Sequence, residues 1–112
     1  MIATQLAALL VGVLTQVSAG APSPKMLARD PVMTLTSGQS PDAVQQCVGL
    51  ALDGIGRPLA SREPGKRFVT FGNIETSPVL ITIYEETPTR IEVRRSFALN
   101  KKWRNRIRFC AS

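Results

Sequence analysis

The chain has 112 residues, with 14 Lys and Arg against 8 Asp and Glu, which gives a formal net charge of +6. A chain of this length forms one domain at most, and a small core of this kind often needs a covalent cross-link. There is no histidine, which excludes the commonest general base and the commonest side-chain ligand for transition metals. Composition therefore argues against histidine-dependent catalysis and histidine-ligated metal sites.

The first 19 residues have the features of an export signal. Residues 2–17 are rich in Leu, Ala and Val, and the apolar centre is too short to span a bilayer comfortably. The short residues Val17 and Ala19 fit a signal-peptidase site, with cleavage before Gly20. Because no basic residue precedes the apolar run, an uncleaved membrane anchor and a buried helix remain alternatives. A cleaved leader predicts a periplasmic or secreted protein.

Residues 20–38 are predicted to form a flexible N-terminal segment. Its first part, Ala21-Pro22-Ser23-Pro24-Lys25, is too poor in apolar side chains to be ordered by burial. Further along, Val32 to Thr36 has the composition of a short edge strand. The folded domain is then expected to comprise residues 39–112.

The domain opens with an amphipathic helix over Ser40 to Ile55. Its apolar side chains follow the spacing of a helix with one buried face: Val44, Cys47, Val48, Ala51, Leu52 and Ile55. Ser40 is a suitable N-cap, Pro41 fits the first helical position, and Asp42 places negative charge at the positive end of the helix dipole. Two glycines, Gly54 and Gly56, are expected to end the helix in left-handed conformations, and Gly49 to allow another element to approach closely.

Three strands are expected to follow an exposed loop over residues 56–65. They are predicted at Lys66 to Phe71, Val79 to Tyr84 and Arg90 to Phe97, as an antiparallel meander. Both faces of the second strand are largely apolar, which indicates a central strand with one face against the helices. The third strand alternates between apolar and charged residues, which is typical of a half-buried antiparallel strand.

The last segment fits two conformations. As a helix, it carries Leu99, Trp103, Ile107 and Cys110 as an apolar stripe. As a fourth strand, it would place Trp103, Ile107 and Phe109 opposite its arginines. The helix is preferred because it puts Cys110 on the same face as Trp103. The expected fold is therefore α+β: a helix, a three-stranded antiparallel meander and a C-terminal helix, with a fourth strand as the alternative.

Two cysteines, Cys47 and Cys110, follow the export signal, and this combination usually means one disulfide. The competing interpretations are a reactive thiol and a metal site. Two thiols without histidine make a poor zinc site, and the chain has no C-x-x-C redox pattern. A disulfide would join the C-terminal segment to the first helix of the domain.

Basic side chains crowd the last quarter of the chain. Such a field attracts polyanions, whether nucleic acid, anionic lipid or acidic glycan. The aromatic residues Phe97, Trp103 and Phe109 lie among these charges and could stack on bases. The alternative is a solvated basic face with the aromatic residues in the core. The candidate polyanion-binding residues are Arg90, Arg94, Arg95, Lys101, Lys102, Arg104, Arg106 and Arg108.

The order of these features resembles that of a group of small exported proteobacterial proteins. Members open with a Ser-Pro-(Asp/Glu)-x-(Val/Leu)-x-x-Cys helix and finish on a Trp-containing helix ending in Cys. Here the matching residues are Ser40-Pro41-Asp42-Ala43-Val44-Gln45-Gln46-Cys47, and then Trp103, Ile107 and Cys110 at helical spacing. The resemblance implies an envelope location and a disulfide between the helix and the tail, and it implies no activity.

No motif for catalysis is visible in the sequence: there is no nucleophile–base pair, phosphate-binding loop, metal cluster or paired-carboxylate motif. We therefore expect a small exported binding or accessory module of the cell envelope, without enzymatic activity or cofactor. A polyanion-binding protein and a membrane-anchored accessory subunit are the alternatives. The expected partner is an envelope protein or a polyanion, and the membrane only if the leader is not cleaved.

Overall fold

A computed structural model describes residues 22–72, 79–96 and 99–112. The predicted leader over residues 1–19, the cleavage position before Gly20, and Phe97 lie outside these residues. The described part of the chain contains, in order, α1 (Pro24–Leu27), β1 (Met33–Ser37), α2 (Pro41–Ala51), β2 (Pro58–Glu63), β3 (Lys66–Phe71), β4 (Val79–Tyr84), β5 (Thr89–Arg95) and α3 (Lys101–Ala111).

The strands form one antiparallel sheet in the order β1-β5-β4-β3-β2. The α+β class is confirmed, and β4 is the central strand, as its apolar faces predicted. The prediction of only three strands is corrected to five within the described residues. The possible edge strand over Val32 to Thr36 is present as β1, and β2 lies within residues 56–65, which were expected to be an exposed loop.

Strand β2 escaped prediction because its side chains are mostly polar or half exposed. It lies at the sheet edge and is held by backbone pairing with β3, from Pro58 opposite Phe71 to Glu63 opposite Lys66. The two strands meet at a Pro64-Gly65 turn, where Gly65 has a φ of 81°, a conformation that favours glycine. Pairing and turn geometry, more than hydrophobic alternation, therefore define this strand.

The main core lies between the sheet and the helices α2 and α3. Val79, Ile81 and Ile83 project from β4 toward the helices and are fully buried. The other side chains of this cluster that are also fully buried come from both helices, the turn after α2 and the neighbouring strands: Val44, Val48, Leu52, Phe71, Ile91, Val93 and Ile107. The two helices thus cover one face of the sheet, with β4 at its centre.

Helix α2 begins as its sequence predicts and ends earlier. The Ser40 side chain accepts a hydrogen bond of 3.1 Å from the Ala43 backbone N–H. The helix ends at Ala51 with Leu52 as its C-cap, and among the described residues the glycines with positive φ are Gly65 and Gly72. The expectation that Gly54 and Gly56 end the helix in left-handed conformations is therefore wrong.

Both of these glycines instead allow another part of the chain to approach closely, because they have no Cβ atom. A Cβ atom at Gly54 would lie 2.8 Å from a ring carbon of Trp103, and one at Gly56 would lie 2.7 Å from the backbone nitrogen of Gly72. The expectation of close approach at Gly49 is also wrong, because a Cβ atom there would meet nothing within 4 Å. The close approach predicted for the helix occurs in the turn that follows it.

A matched pair of alanine substitutions tests this assignment. Gly49→Ala should raise the free energy of unfolding by about 1 kcal/mol, since glycine in a helix interior is unfavourable and the new methyl group meets open space. Gly54→Ala should lower it by about 1 to 3 kcal/mol, because the methyl group would overlap the Trp103 ring. Urea unfolding of both variants measures the two effects. A neutral Gly54→Ala, or two shifts of the same sign, would contradict the packing described.

Two elements, α1 and β1, lie within the segment that was predicted to be flexible. The Ser23 side chain accepts a hydrogen bond from the Met26 N–H at 3.1 Å and caps α1. Met26 is buried against Phe68 and Leu80, on the face of the sheet opposite α2 and α3. A single apolar side chain thus anchors a segment whose composition is otherwise typical of a flexible linker.

The C-terminal segment is a helix, α3, and the alternative of a fourth strand at this place is wrong. Asn100 caps it, with its side-chain oxygen accepting a hydrogen bond of 3.1 Å from the Trp103 N–H. Cys110 forms a disulfide with Cys47, and their Cα atoms are 5.5 Å apart across a sequence separation of 63 residues. The predicted disulfide between helix and tail is therefore confirmed.

Candidate binding surface

Helix α3 has one buried side and one basic side. Ile107, Cys110 and Ala111 face the core, and Trp103 is half buried against it. The rest of the helix surface, hereafter the outer face of α3, exposes every basic residue of the helix: Lys101, Lys102, Arg104, Arg106 and Arg108. The helix forms because its apolar residues recur at helical spacing, and the same spacing gathers its cations on the solvent side.

The cations of α3 have few partners within the protein. Arg106 donates a hydrogen bond of 3.1 Å to the Ala51 carbonyl oxygen, at the end of α2. The Arg106 guanidinium and the Lys102 ammonium lie 5.0 Å and 4.9 Å from the centre of the Trp103 ring. Arg108 donates to the Asn105 side-chain oxygen at 3.4 Å. Within the part of the chain that the structure describes, no ion pair joins any of these side chains to a carboxylate.

Arg90 and Arg94 lie elsewhere, on the face of the sheet away from α3. The Arg90 guanidinium is 3.6 Å from the centre of the Tyr84 ring and pairs with Glu86 and Glu92, each at 3.2 Å. Arg94 pairs with Glu92 at 3.1 Å and donates to the Arg29 carbonyl oxygen at 2.8 Å. Carboxylates of the protein itself therefore neutralise both arginines.

The pKa values in this group follow from its contacts. Burial alone would raise the pKa of Glu92, but hydrogen bonds from Tyr84 and Arg94 outweigh it and lower the pKa below its ordinary value. Burial and the hydrogen bond to Glu92 raise the pKa of Tyr84. The Glu86 side chain raises the pKa of Arg90. These shifts indicate a charge-balanced structural network.

Arg95 is half buried at the end of β5, paired in register with Val79. Strand alternation places it with Ile91 and Val93, on the helix side of the sheet. The eight candidate residues therefore separate into five on α3 and three on β5. The sequence prediction treated them as one group, because nearness in sequence was the only distance available.

A second cluster of charges lies where α2 meets the sheet. Arg67 donates hydrogen bonds to Glu85 at 2.7 Å, to Asp42 and to Gln45, and Arg62 pairs with the same Glu85 carboxylate. Arg67 lowers the pKa of Asp42, and together with Arg62 it lowers the pKa of Glu85. Periodicity could not have found this cluster, since its members come from α2, β2, β3 and the residue that follows β4. It fixes the first turn of α2 against the sheet.

Two apolar residues on the helices are exposed. Leu50 on α2 and Phe109 on α3 each expose 75% of their surface, and they line the same open groove between the helices. The sequence analysis named Phe109 as an aromatic residue that could stack on bases, and it did not propose Leu50. Helical spacing does contain the signal, because neither residue belongs to the apolar stripe of its helix.

The described residues contain no group of three His, Cys, Asp or Glu side chains that could hold a metal ion. Among them, no helix has the length and apolar content needed to cross a bilayer. Comparison of the chain with protein-family models, curated proteins and solved structures gives no match.

Proposed function

We propose that the protein is a small exported binding module of the cell envelope that acts without catalysis, and that it binds a polyanionic partner through the outer face of α3. The disulfide between Cys47 and Cys110 supports export, since such bonds persist in oxidising compartments. The resemblance to small exported proteobacterial proteins supports the same location.

The observation that carries the proposal is the electrostatic frustration of α3. Lys102 with Arg106, and Arg104 with Arg108, are like charges one helical turn apart, an arrangement that destabilises a helix. Lys101 and Lys102 also place positive charge at the positive end of the helix dipole, and the first turn contains no acidic residue. Folding alone gains nothing from this pattern, whereas an anionic partner would relieve it.

The two basic regions differ in availability. On the sheet face, Arg90 and Arg94 have carboxylate partners within the protein, so a polyanion would have to compete with Glu86 and Glu92. On α3, the side chains of Lys101 and Arg104 are exposed and make no hydrogen bond or ion pair among the described residues. A polyanion would therefore gain more free energy by neutralising the cations of α3 than by neutralising Arg90 and Arg94.

Retention on heparin, with a matched control for net charge, tests the proposal. The variant Lys101→Gln/Arg104→Gln/Arg108→Gln removes exposed cations and leaves Lys102 and Arg106 on Trp103. The control Lys25→Gln/Arg29→Gln/Arg57→Gln removes the same charge from exposed positions outside α3. We expect the α3 variant to elute at clearly lower salt, with a salt dependence reduced by about three counterions, and the control to elute close to the wild type. Equal shifts in both variants would show a net-charge effect and contradict a site on α3.

A membrane-anchored accessory subunit is the second candidate, favoured by the uncharged apolar run at residues 2–17. The N-terminal sequence of protein purified from its own host distinguishes the two. We expect it to begin at Gly20, and a protein that begins at Met1 would favour the anchored form.

A further inference from the structure

The exposed apolar pair and the basic residues of α3 belong to one surface. Phe109 lies on the outer face of α3, one helical turn from Asn105 and two turns from Lys102, and it directly follows Arg108. Leu50 faces the same groove from α2. Arg106 lines the groove between them and is held there by the Ala51 carbonyl oxygen.

Fold stability does not account for this pair. Neither Leu50 nor Phe109 belongs to the buried clusters. Each exposes nearly twice the fraction shown by Leu27 and Val32, at 40% and 43%, which are the next most exposed large apolar residues in the described part of the chain. Two large apolar side chains at the rim of one groove, bordered by cations, are typical of a surface that meets a partner.

We propose that this surface binds an anionic phospholipid bilayer, with Leu50 and Phe109 entering the headgroup region and the cations of α3 contacting lipid phosphates. The inference rests on the proposed function and names the partner of the same site. It accounts for both halves of the surface, because exposed apolar side chains enter the headgroup region while neighbouring cations attract anionic lipids. Each Lys or Arg near an anionic leaflet adds to the attraction.

A nucleic acid partner would explain fewer of the exposed side chains on this surface. An aromatic ring such as Phe109 can stack on a base, but the aliphatic side chain of Leu50 cannot. A soluble polyanion would neutralise the cations and leave both apolar side chains in water. A bilayer removes both from water and neutralises the cations at once.

Two carboxylates, one in the first turn of α2 and one just after its end, define the orientation. Asp53 and Asp42 lie beyond Leu50, around the next groove along α2, and Asp42 is already paired with Arg67. Acidic side chains are repelled by an anionic leaflet, so α3 sits closer to the membrane than α2.

Vesicle flotation with the full chain tests the inference. Vesicles of phosphatidylcholine alone measure any binding by residues 1–21, and the additional binding to vesicles of equal parts phosphatidylcholine and phosphatidylglycerol is the readout. The test variant is Leu50→Ser/Phe109→Ser, which changes two exposed side chains, and the control Leu27→Ser/Val32→Ser makes the same kind of change elsewhere.

In the Leu50→Ser/Phe109→Ser variant, we expect the additional binding to vesicles with phosphatidylglycerol to fall by about tenfold or more. The elution of this variant from heparin should stay unchanged. The control should bind as the wild type does.

Wild-type protein that shows no preference for phosphatidylglycerol, or a Leu50→Ser/Phe109→Ser variant that floats like the wild type, would overturn the bilayer inference. Retention of the wild type on heparin would then leave the proposed function standing. Binding to single-stranded DNA that needs Phe109, without vesicle binding, would overturn it in favour of nucleic acid. If the wild-type protein were not retained on heparin, the proposed function itself would be contradicted.

Discussion

Replacing Cys47 and Cys110 by Ala should lower the free energy of unfolding by about 4 kcal/mol. The disulfide joins residues 63 positions apart, and in the chain-entropy model a cross-link over a loop of this length restricts the unfolded chain by about that amount. For a small domain of ordinary stability, this is a large part of the total. Urea unfolding of the oxidised wild type and the double variant measures the difference.

Reduction supplies the control for the cysteine prediction. Wild-type protein unfolded in the presence of a thiol reductant should have nearly the same midpoint as the double alanine variant, and the reductant should leave the variant unchanged. A loss below about 1 kcal/mol would mean that α3 is held mainly by its packing. The disulfide would then have little part in fixing the outer face of α3 to the domain.

The second large effect is expected at the centre of the core. Ile81 lies in the middle of β4, is fully buried and faces both helices. Ile81→Ala should lower the free energy of unfolding by about 4 kcal/mol, since it removes apolar contacts and leaves a cavity between the sheet and the helices. Ile81→Val, which removes a single methyl group, should cost about 1 kcal/mol. Urea unfolding of both variants checks the gradation.

The neighbouring residue provides a control of opposite sign. Thr82 faces the other side of the sheet, and its buried hydroxyl has no hydrogen-bond partner among the residues that the structure describes. Thr82→Val keeps the shape of the side chain and removes the unsatisfied hydroxyl, so the free energy of unfolding should rise by about 1 kcal/mol. If Thr82→Val destabilised the protein as Ile81→Ala does, the assignment of the two faces of β4 would be wrong.

Local patterns predicted the elements that bury a continuous apolar stripe. The spacing from Val44 to Leu52 predicted α2. The stripe through Trp103, Ile107 and Cys110 predicted α3 and the side of it that faces the core. The presence of two cysteines was enough to pair Cys47 with Cys110. In each case the feature depends on residues within one segment, or on the only available partner.

The elements that escaped prediction depend on contacts between distant segments. Strand β2 exists because it pairs with β3, and α1 packs on the sheet because Met26 contacts Phe68 and Leu80, which are distant in sequence. Contacts between distant segments also explain why the eight basic candidate residues separate into a group on α3 and a group on β5. Arg94 is near Lys101 in sequence, but the sheet separates it from α3 and gives it Glu92 as a partner.

The position of the proposed binding surface follows from how the core is filled. The apolar stripe of α3 and its disulfide commit one side of the helix to the domain, and every basic residue is then left on the other side. The core would be the same with neutral residues at these exposed positions. The basic outer face is therefore an addition to the fold, and function is its natural explanation.

The most direct measurement is a map of amide chemical-shift changes in the NMR spectrum as a short heparin oligosaccharide is titrated into the protein. If the outer face of α3 binds polyanions, the largest changes will lie between Lys101 and Phe109, will diminish as salt is added, and will spare Arg90 and Arg94 on the sheet. Changes concentrated on β5, or a spectrum that the oligosaccharide leaves unaltered at low salt, would contradict the account.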